Sequence, residues 1–430
     1  MIRRCSSGGP LGYTRRVRTP CGSVVSRLQH LEPWQRNLYG LWAILFAAFV
    51  GLSLILPFIP LYLRELGLTE TADVTRWSGL ILAGPFMVSF IATPLWGVLG
   101  DRYGQKLMVV RALLGSSVAY FGMAMAATVP GLFVWRLVLG AISGFLAAGM
   151  ALLSVTVPDG QRGYALGLLQ AVVPASGLIG PLLGGVLADL IGYRAIFVIT
   201  GTVCALGGVV AVVLLSESRA PLPARAAPGS VRDNLAVAWR SPGLRLALLA
   251  VVASQTLVTT LQPIFVLYVE GLGVEPRLLS TTTGVLYAAT GITSLIAAPR
   301  WGRHSDRHGA LRVVTVALVG SAVLLLVQAG VTGVLQLLVA RLLYGCFVAG
   351  ILPPLLGLIT AASPPESRGG MMGLTSSAAM LGNLCGPLAG GYIGAHVGLR
   401  AVFVVSALAL LAVNGLVQRT RRQTLAPPAG

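Results

Sequence analysis

The stretch Trp96-Gly97-Val-Leu-Gly-Asp101-Arg102-Tyr-Gly104-Gln-Lys106 decides how this chain is read, because much of it returns 205 residues later as Trp301-Gly302-Arg-His-Ser-Asp306-Arg307-His-Gly309. Arg136 and Arg341 are matched by the same offset. One residue further, at an offset of 206, Gly180-Pro181 matches Gly386-Pro387, Gly184-Gly185 matches Gly390-Gly391, and Arg194-Ala195 matches Arg400-Ala401. So small a drift over so long a span points to duplication of a unit about half the chain long.

Composition shows what kind of unit was duplicated. Hydrophobic residues make up 55% of the 430 and charged residues only 10%, with a mean hydropathy of +0.83. Soluble domains carry roughly 25% charged residues, so this chain lacks the polar side chains to cover a water-facing surface. A helix crosses the bilayer core with about 20 apolar residues. The intervals free of Asp, Glu, Lys and Arg are Asn37–Leu63, Trp77–Gly100, Ala112–Trp135, Leu137–Pro158, Gly163–Ala188, Ala195–Ser216, Leu246–Val269, Leu278–Pro299, Val313–Ala340, Leu342–Pro365, Gly369–Leu399 and Ala401–Gln418. Turn chemistry at Val129-Pro130-Gly131 and at Gly330-Val331-Thr332-Gly333 marks two boundaries, which places Arg136 and Arg341 inside helices 4 and 10. The expected fold is an all-α polytopic membrane protein whose twelve transmembrane helices form two six-helix repeats. Six crossings return the chain to its starting side, so the repeats lie parallel. Parallel halves with a site at their interface suit a secondary transporter. The expected organisation is a tail over 1–36, bundles over 37–216 and 244–418, a linker over 217–243, and a tail over 419–430.

The net charge of +18 would suggest a nucleic-acid partner in a soluble protein, but its distribution argues otherwise. On one side lie 24 basic residues, in the N-terminal tail, the 2–3, 4–5, 6–7, 8–9 and 10–11 connections and the C-terminal tail. The other side holds five: Arg64, Arg76, Arg194, Arg277 and Arg400. The positive-inside rule then makes both termini cytoplasmic, with the protein in the cytoplasmic membrane. No basic patch interleaved with aromatic residues points to nucleic acid. The tail reads as a basic arm, a transit-like extension or a start placed too early. Cys204, Cys346 and Cys385 fall in helices, where they suit packing, and Cys5 and Cys21 in the tail. His304 and His308 lack further ligands, so neither a metal nor a cofactor is expected.

These residues resemble a known family. The stretch from Gly97 to Lys106, with Asp101, Arg102 and Gly104, is similar to the helix 2–3 signature of the major facilitator superfamily, and Gly302, Asp306, Arg307 and Gly309 form its second copy. The glycines permit a tight turn and close helix approach. Asp101 is expected near the start of helix 11, around Gly369-Gly370, where the helix dipole favours an anion. Arg102 and Lys106 are candidates to pair with Asp101 or with anionic lipid. In this family the motif acts as a latch on the outward-facing state. Gly167, Ser176, Gly180, Pro181, Gly184 and Gly185 in helix 5, and Gly373, Gly382, Gly386, Pro387, Gly390 and Gly391 in helix 11, resemble the signature of drug:proton antiporters. The family has that signature in helix 5, whereas here helix 11 carries the complete version and Ser176 replaces a glycine. Gly51, Pro57 and Pro60 in helix 1, with Trp34-Gln-Arg-Asn37 ahead of it, look most like the MdtG-type multidrug exporters of that family.

The resemblance implies a proton-coupling role for Arg136, with Arg341 as its paired position. It also implies a cavity built by helices 1, 4, 5, 7, 8, 10 and 11. The polar or aromatic candidates there are Phe49, Ser53, Gln170, Gln255, Thr259, Gln262, Tyr287, Tyr344, Ser376 and Asn383. No Asp or Glu falls inside any predicted span; the nearest are Asp101, Asp159, Asp189, Glu270 and Asp306. The expected activity is export of small amphiphilic compounds in exchange for protons by a non-enzymatic carrier, taken as a monomer among membrane lipids. Two alternatives stay open: a dedicated exporter of a sugar, siderophore or self-made antibiotic, and a non-transporting receptor or scaffold.

Overall fold

A computed structural model of the protein describes residues 32–217, 231–364 and 367–425. Most of the N-terminal tail, with Cys5 and Cys21, most of the linker and the end of the C-terminal tail lie outside the described residues. The charge-free intervals become helices that run past their apolar stretches, because end turns can hold charged side chains beyond the hydrocarbon. They are α1 (Pro33–Glu65), α2 (Thr71–Tyr103), α3 (Gln105–Met125), α4 (Val129–Thr156), α5 (Arg162–Ile191), α6 (Tyr193–Leu214), α7 (Pro242–Thr260, continued by Phe265–Glu270), α8 (Pro276–His308), α9 (Ala310–Gly330), α10 (Val334–Ala362), α11 (Arg368–His396) and α12 (Leu399–Leu425). Among the described residues eleven of these are long and apolar enough to cross a membrane; the other, α11, is 29 residues long and rich in glycine. A short linker helix, Val231–Arg240, precedes α7. Val98, Met125, Leu190, Val213 and Leu335 are among many large apolar side chains left exposed. Such a belt has lipid as its solvent.

The duplication is visible in single hydrogen bonds. The Trp96 indole donates to the Ala141 carbonyl at 2.6 Å, and Trp301 to Cys346 at 2.6 Å. Ser89 donates to the Gly140 carbonyl at 2.8 Å, and Ser294 to Gly345 at 2.9 Å. Tyr62 donates to the Met123 carbonyl and meets the Phe197 ring at a tilt, while Tyr268 donates to the Gln328 carbonyl and meets Phe403 likewise. In each half the first helix packs on the fifth, the second on the fourth, and the third on the sixth.

The helices that begin each three-helix group are broken. In α1 a 3₁₀ turn spans Leu56–Phe58, and in α7 a turn separates Thr260 from Phe265. Pro57 and Pro263 lie in these breaks, where a missing N–H ends the ladder. In α4 the helix stops at Ile142 and restarts at Phe145, with Gly144 at φ 123°. In α10 it stops at Val348 and restarts at Leu352. Interrupted helices at membrane depth are tolerated where protein or a cavity surrounds the freed backbone.

Candidate functional site

The halves meet through α2 against α11 and α5 against α8, and the contact is made by backbone. A β-carbon on Gly79 would collide with the Pro387 carbonyl, and one on Gly284 with the Pro181 carbonyl. Both contacts use the proline of the Gly-Pro-x-x-Gly-Gly run. That run divides its labour between packing within a half and packing between halves. Gly180 lies on Ser53 and Gly184 on the Leu54 carbonyl, both in α1, whereas Gly185 faces Ser280 of α8. In α11, Gly386 and Gly390 press on Thr259 and the Thr260 carbonyl of α7, and Gly382 on Gln255 and Val252, whereas Gly391 meets Thr75 and Gly79 of α2. Ser176 is buried and donates to the Val173 carbonyl at 2.9 Å. Gly167 and Gly373, at the head of each run, have open space around them.

Polar contacts tie the halves at the end of the bundle away from the α2–α3 turn, here the far end. Arg64 and Glu270 form a bidentate ion pair at 2.6 and 2.7 Å. The Asp189 carboxylate accepts from the backbone N–H and the hydroxyl of Thr281, each at 2.7 Å. This anion sits in the first turn of α8, where the helix dipole favours it. Tyr193 and Ser280 share a hydrogen bond at 2.9 Å, and Arg76 lies 3.3 Å from the His396 ring. At the opposite, basic end, Asp101, Arg102, Asp306 and Arg307 are exposed, and nothing lies within 4 Å of a β-carbon placed on Gly97, Gly302 or Gly369. The halves are thus tied together at the far end, while the motif residues at the basic end stand exposed.

The repeated motif itself has a different local chemistry from the expected latch. Asp101 lies in the last turn of α2 and accepts from the Gln105 amide at 3.2 Å. Gly370 packs on Asn234 of the linker helix, so in this conformation the start of α11 has another neighbour than Asp101. Lys106 donates to the Val212 carbonyl at 2.8 Å. The anion at a helix start is Glu217, which accepts from the N–H groups of Gln105 and Lys106 at 2.8 and 3.0 Å and so caps α3. Sequence reading assigned Glu217 to the linker; its signal was an acid directly after α6. Gly104 at φ 99° and Gly309 at φ 89° make the two tight turns, a conformation that only glycine enters without strain.

Arg136 and Arg341 are both buried, at 2% and 4% exposure, so neither snorkels to an interface. Arg136 Nε donates to the Ile81 carbonyl at 3.1 Å, and its Nη1 is buried without a hydrogen-bond partner. Arg341 lies 3.7 Å over the Phe265 ring, with Tyr287 and Tyr344 at 5.6 and 5.9 Å, and its Nε and Nη2 are buried without hydrogen bonds. The other candidates divide. Tyr287 and Tyr344 join Arg341 in that aromatic cluster, and Phe265, which no motif singles out, completes it. Gln255 reaches Asn383 at 3.5 Å. Ser53 and Thr259 are packing contacts for glycines, and Thr259 also bonds the Gly382 carbonyl. Phe49 meets Phe145 edge-on at 5.0 Å. Gln262 is half-buried in the α7 break, while Gln170 and Ser376 are exposed.

Comparison with known proteins agrees with this architecture. The family model described as Major Facilitator Superfamily matches residues 41–292 and 278–428. The chain is 35% identical over 379 residues to the multidrug resistance protein MdtG of Serratia proteamaculans, covering 88% of this chain and 92% of that one. It is 34% identical over 375 residues to MdtG of Klebsiella pneumoniae, covering 87% and 90%. Among solved structures, a bacterial homologue of the human lysosomal transporter Spinster, inward-facing and unoccupied, superposes with a TM-score of 0.75 at 15% identity, covering 93% of this chain and 100% of that one. The nucleoside transporter NupG gives a TM-score of 0.72 at 12% identity, with 90% and 99% covered. Two duplicated six-helix halves and a family match over most of the chain lead to one conclusion: this chain belongs to the major facilitator superfamily and is a secondary transporter, not an enzyme.

Proposed function

We propose that this transporter exports small amphiphilic compounds across the cytoplasmic membrane by alternating access, in exchange for protons. The observation that carries the reading is the asymmetry between the two ends. At the far end, glycine meets carbonyl across the halves and carboxylates hold the seam, while the duplicated motif at the basic end is disengaged. With the basic end cytoplasmic, by the excess of arginine there, this is the inward-facing state. Motif glycines with open space around them suit surfaces that pack only when the halves rock the other way. In that second state Asp101 and Asp306 would face the starts of α11 and α5. The names of the MdtG relatives support drug efflux as the activity. Arg136 and Arg341 are the charges held within the bundle, and we assign coupling or substrate contact to them. The domain boundaries follow from the same reading: bundles over 37–216 and 244–418 moving about a linker over 217–243.

The test is a growth-inhibition panel with the gene expressed in an efflux-deficient host, followed by efflux of a fluorescent substrate in energised cells. Raised resistance to several unrelated amphiphiles, lost when the proton gradient is collapsed, is the expected result. Resistance to one compound only would replace drug efflux by a dedicated carrier, and efflux that outlasts the gradient would remove proton coupling.

A further inference from the structure

The lipid-facing stripe of α3 contains an arginine. Leu107, Leu114, Val118, Phe121 and Met125 are exposed at spacings of seven, four, three and four, and Arg111 divides the first interval into four and three. The sequence placed Arg111 in the α2–α3 connection, but the helix starts at Gln105, so Arg111 lies six residues in, roughly 9 Å along the axis. Its guanidinium stacks 3.4 Å over the Trp96 ring, and Nε and Nη1 are buried with no hydrogen-bond partner. Beside it runs an apolar groove of about 370 Å³ lined by Trp96, Arg111, Leu114, Gly115, Val118 and Ile142. The second half has the corresponding groove, at Trp301 and Phe347, but there Val316 stands where Arg111 would be. Arg300 at that groove already donates to the Ile296 carbonyl at 2.7 Å.

A guanidinium on a hydrocarbon-facing stripe needs an anion that reaches it from the headgroup layer. The Trp96 ring fixes its plane, which favours a forked contact to a phosphate. We propose that this groove is a binding site for an anionic glycerophospholipid, with the phosphodiester on the accessible edge of the Arg111 guanidinium and one acyl chain along Leu114 and Val118. The site belongs to the first half alone, since the unpartnered guanidinium is missing from the second. The proposal rests on the membrane-spanning fold and is independent of what is transported.

The experiment is native mass spectrometry of the delipidated, detergent-purified full chain, titrated with phosphatidylglycerol or phosphatidylcholine. Wild type should hold one phosphatidylglycerol more firmly than any other lipid, and phosphatidylcholine should not displace it at equal concentration. Arg111→Gln should weaken that lipid about tenfold, the effect of losing a charge-assisted contact. Arg111→Lys should weaken it less, and Val118→Trp, which fills the groove and keeps the guanidinium, should weaken it too. Lys106→Gln should leave it in place. Equal binding by Arg111→Gln and wild type, an equal loss in Lys106→Gln, or free exchange with phosphatidylcholine would each overturn the site. Binding of an amphiphilic drug that displaces phosphatidylglycerol from wild type and from Arg111→Gln alike would do so as well.

Discussion

Arg136 and Arg341 occupy duplicate positions yet solve the same problem differently. Burying an arginine in a helix bundle is costly unless its donors are used or its charge is offset. Arg136 spends Nε on a carbonyl of the neighbouring α2, whereas Arg341 faces three aromatic rings, whose quadrupoles attract a cation. Arg136→Lys should keep the charge and lose the Ile81 contact, lowering efflux about tenfold or more with the protein still in the membrane. Unchanged efflux in cells with matched protein levels would remove Arg136 from the transport machinery. At the far end, Glu270→Gln breaks a half-exposed ion pair of a kind worth about 0.2–1 kcal/mol. The far-end-open population should therefore rise by roughly 1.4- to fivefold, read as the distance between spin labels on the far-end loops. Both arginines were legible as embedded charges because no other charge shares their spans. The rings around Arg341 were not, since Phe265 and Tyr287 approach it only once α7 and α8 fold against α10.

At the scale of helices, glycine governs which faces can touch. Gly79→Ala and Gly284→Ala each push a methyl into a carbonyl of the opposite half, an overpacking that costs about 1–3 kcal/mol. These variants should favour the far-end-open state and expose far-end cysteine labels to aqueous reagent. Gly97→Ala and Gly302→Ala meet open space in the present state, so they should leave its thermal stability unchanged; on the proposed cycle, in which the second state would bring those faces together, they should slow transport. If they transport at wild-type rate, the motif glycines serve the turn alone. The spans, both turn boundaries and the duplication were readable from charge and spacing. The breaks in α4 and α10 were not, because a run free of charge looks the same whether its backbone is continuous or interrupted. Gly144 gave no warning as one glycine among 54, although its left-handed φ marks the break.

For the whole molecule, the ties at one end and the exposed motif at the other lead to a pair of coupled expectations. Asp101→Asn should abolish resistance while membrane abundance stays normal, measured by growth on a substrate drug beside an immunoblot. Full resistance at normal abundance would refute the latch. The composition had already made the chain a membrane protein, and its arginine distribution points to an orientation that a fluorescent reporter fused after residue 430 can check. The contact between the halves has a further meaning for where this protein came from. Gly79 on the Pro387 carbonyl and Gly284 on the Pro181 carbonyl are one contact made twice, each half supplying what the other receives. That is the pattern of a two-fold symmetric dimer, and backbone touching backbone makes few demands on the side chains around it. A six-helix ancestor could therefore have paired with its own copy before the genes fused. Joining two such copies in one chain replaces an association equilibrium by a tether with a high effective concentration. Once joined, the two copies were free to diverge, and Arg136 and Arg341 show how far they have.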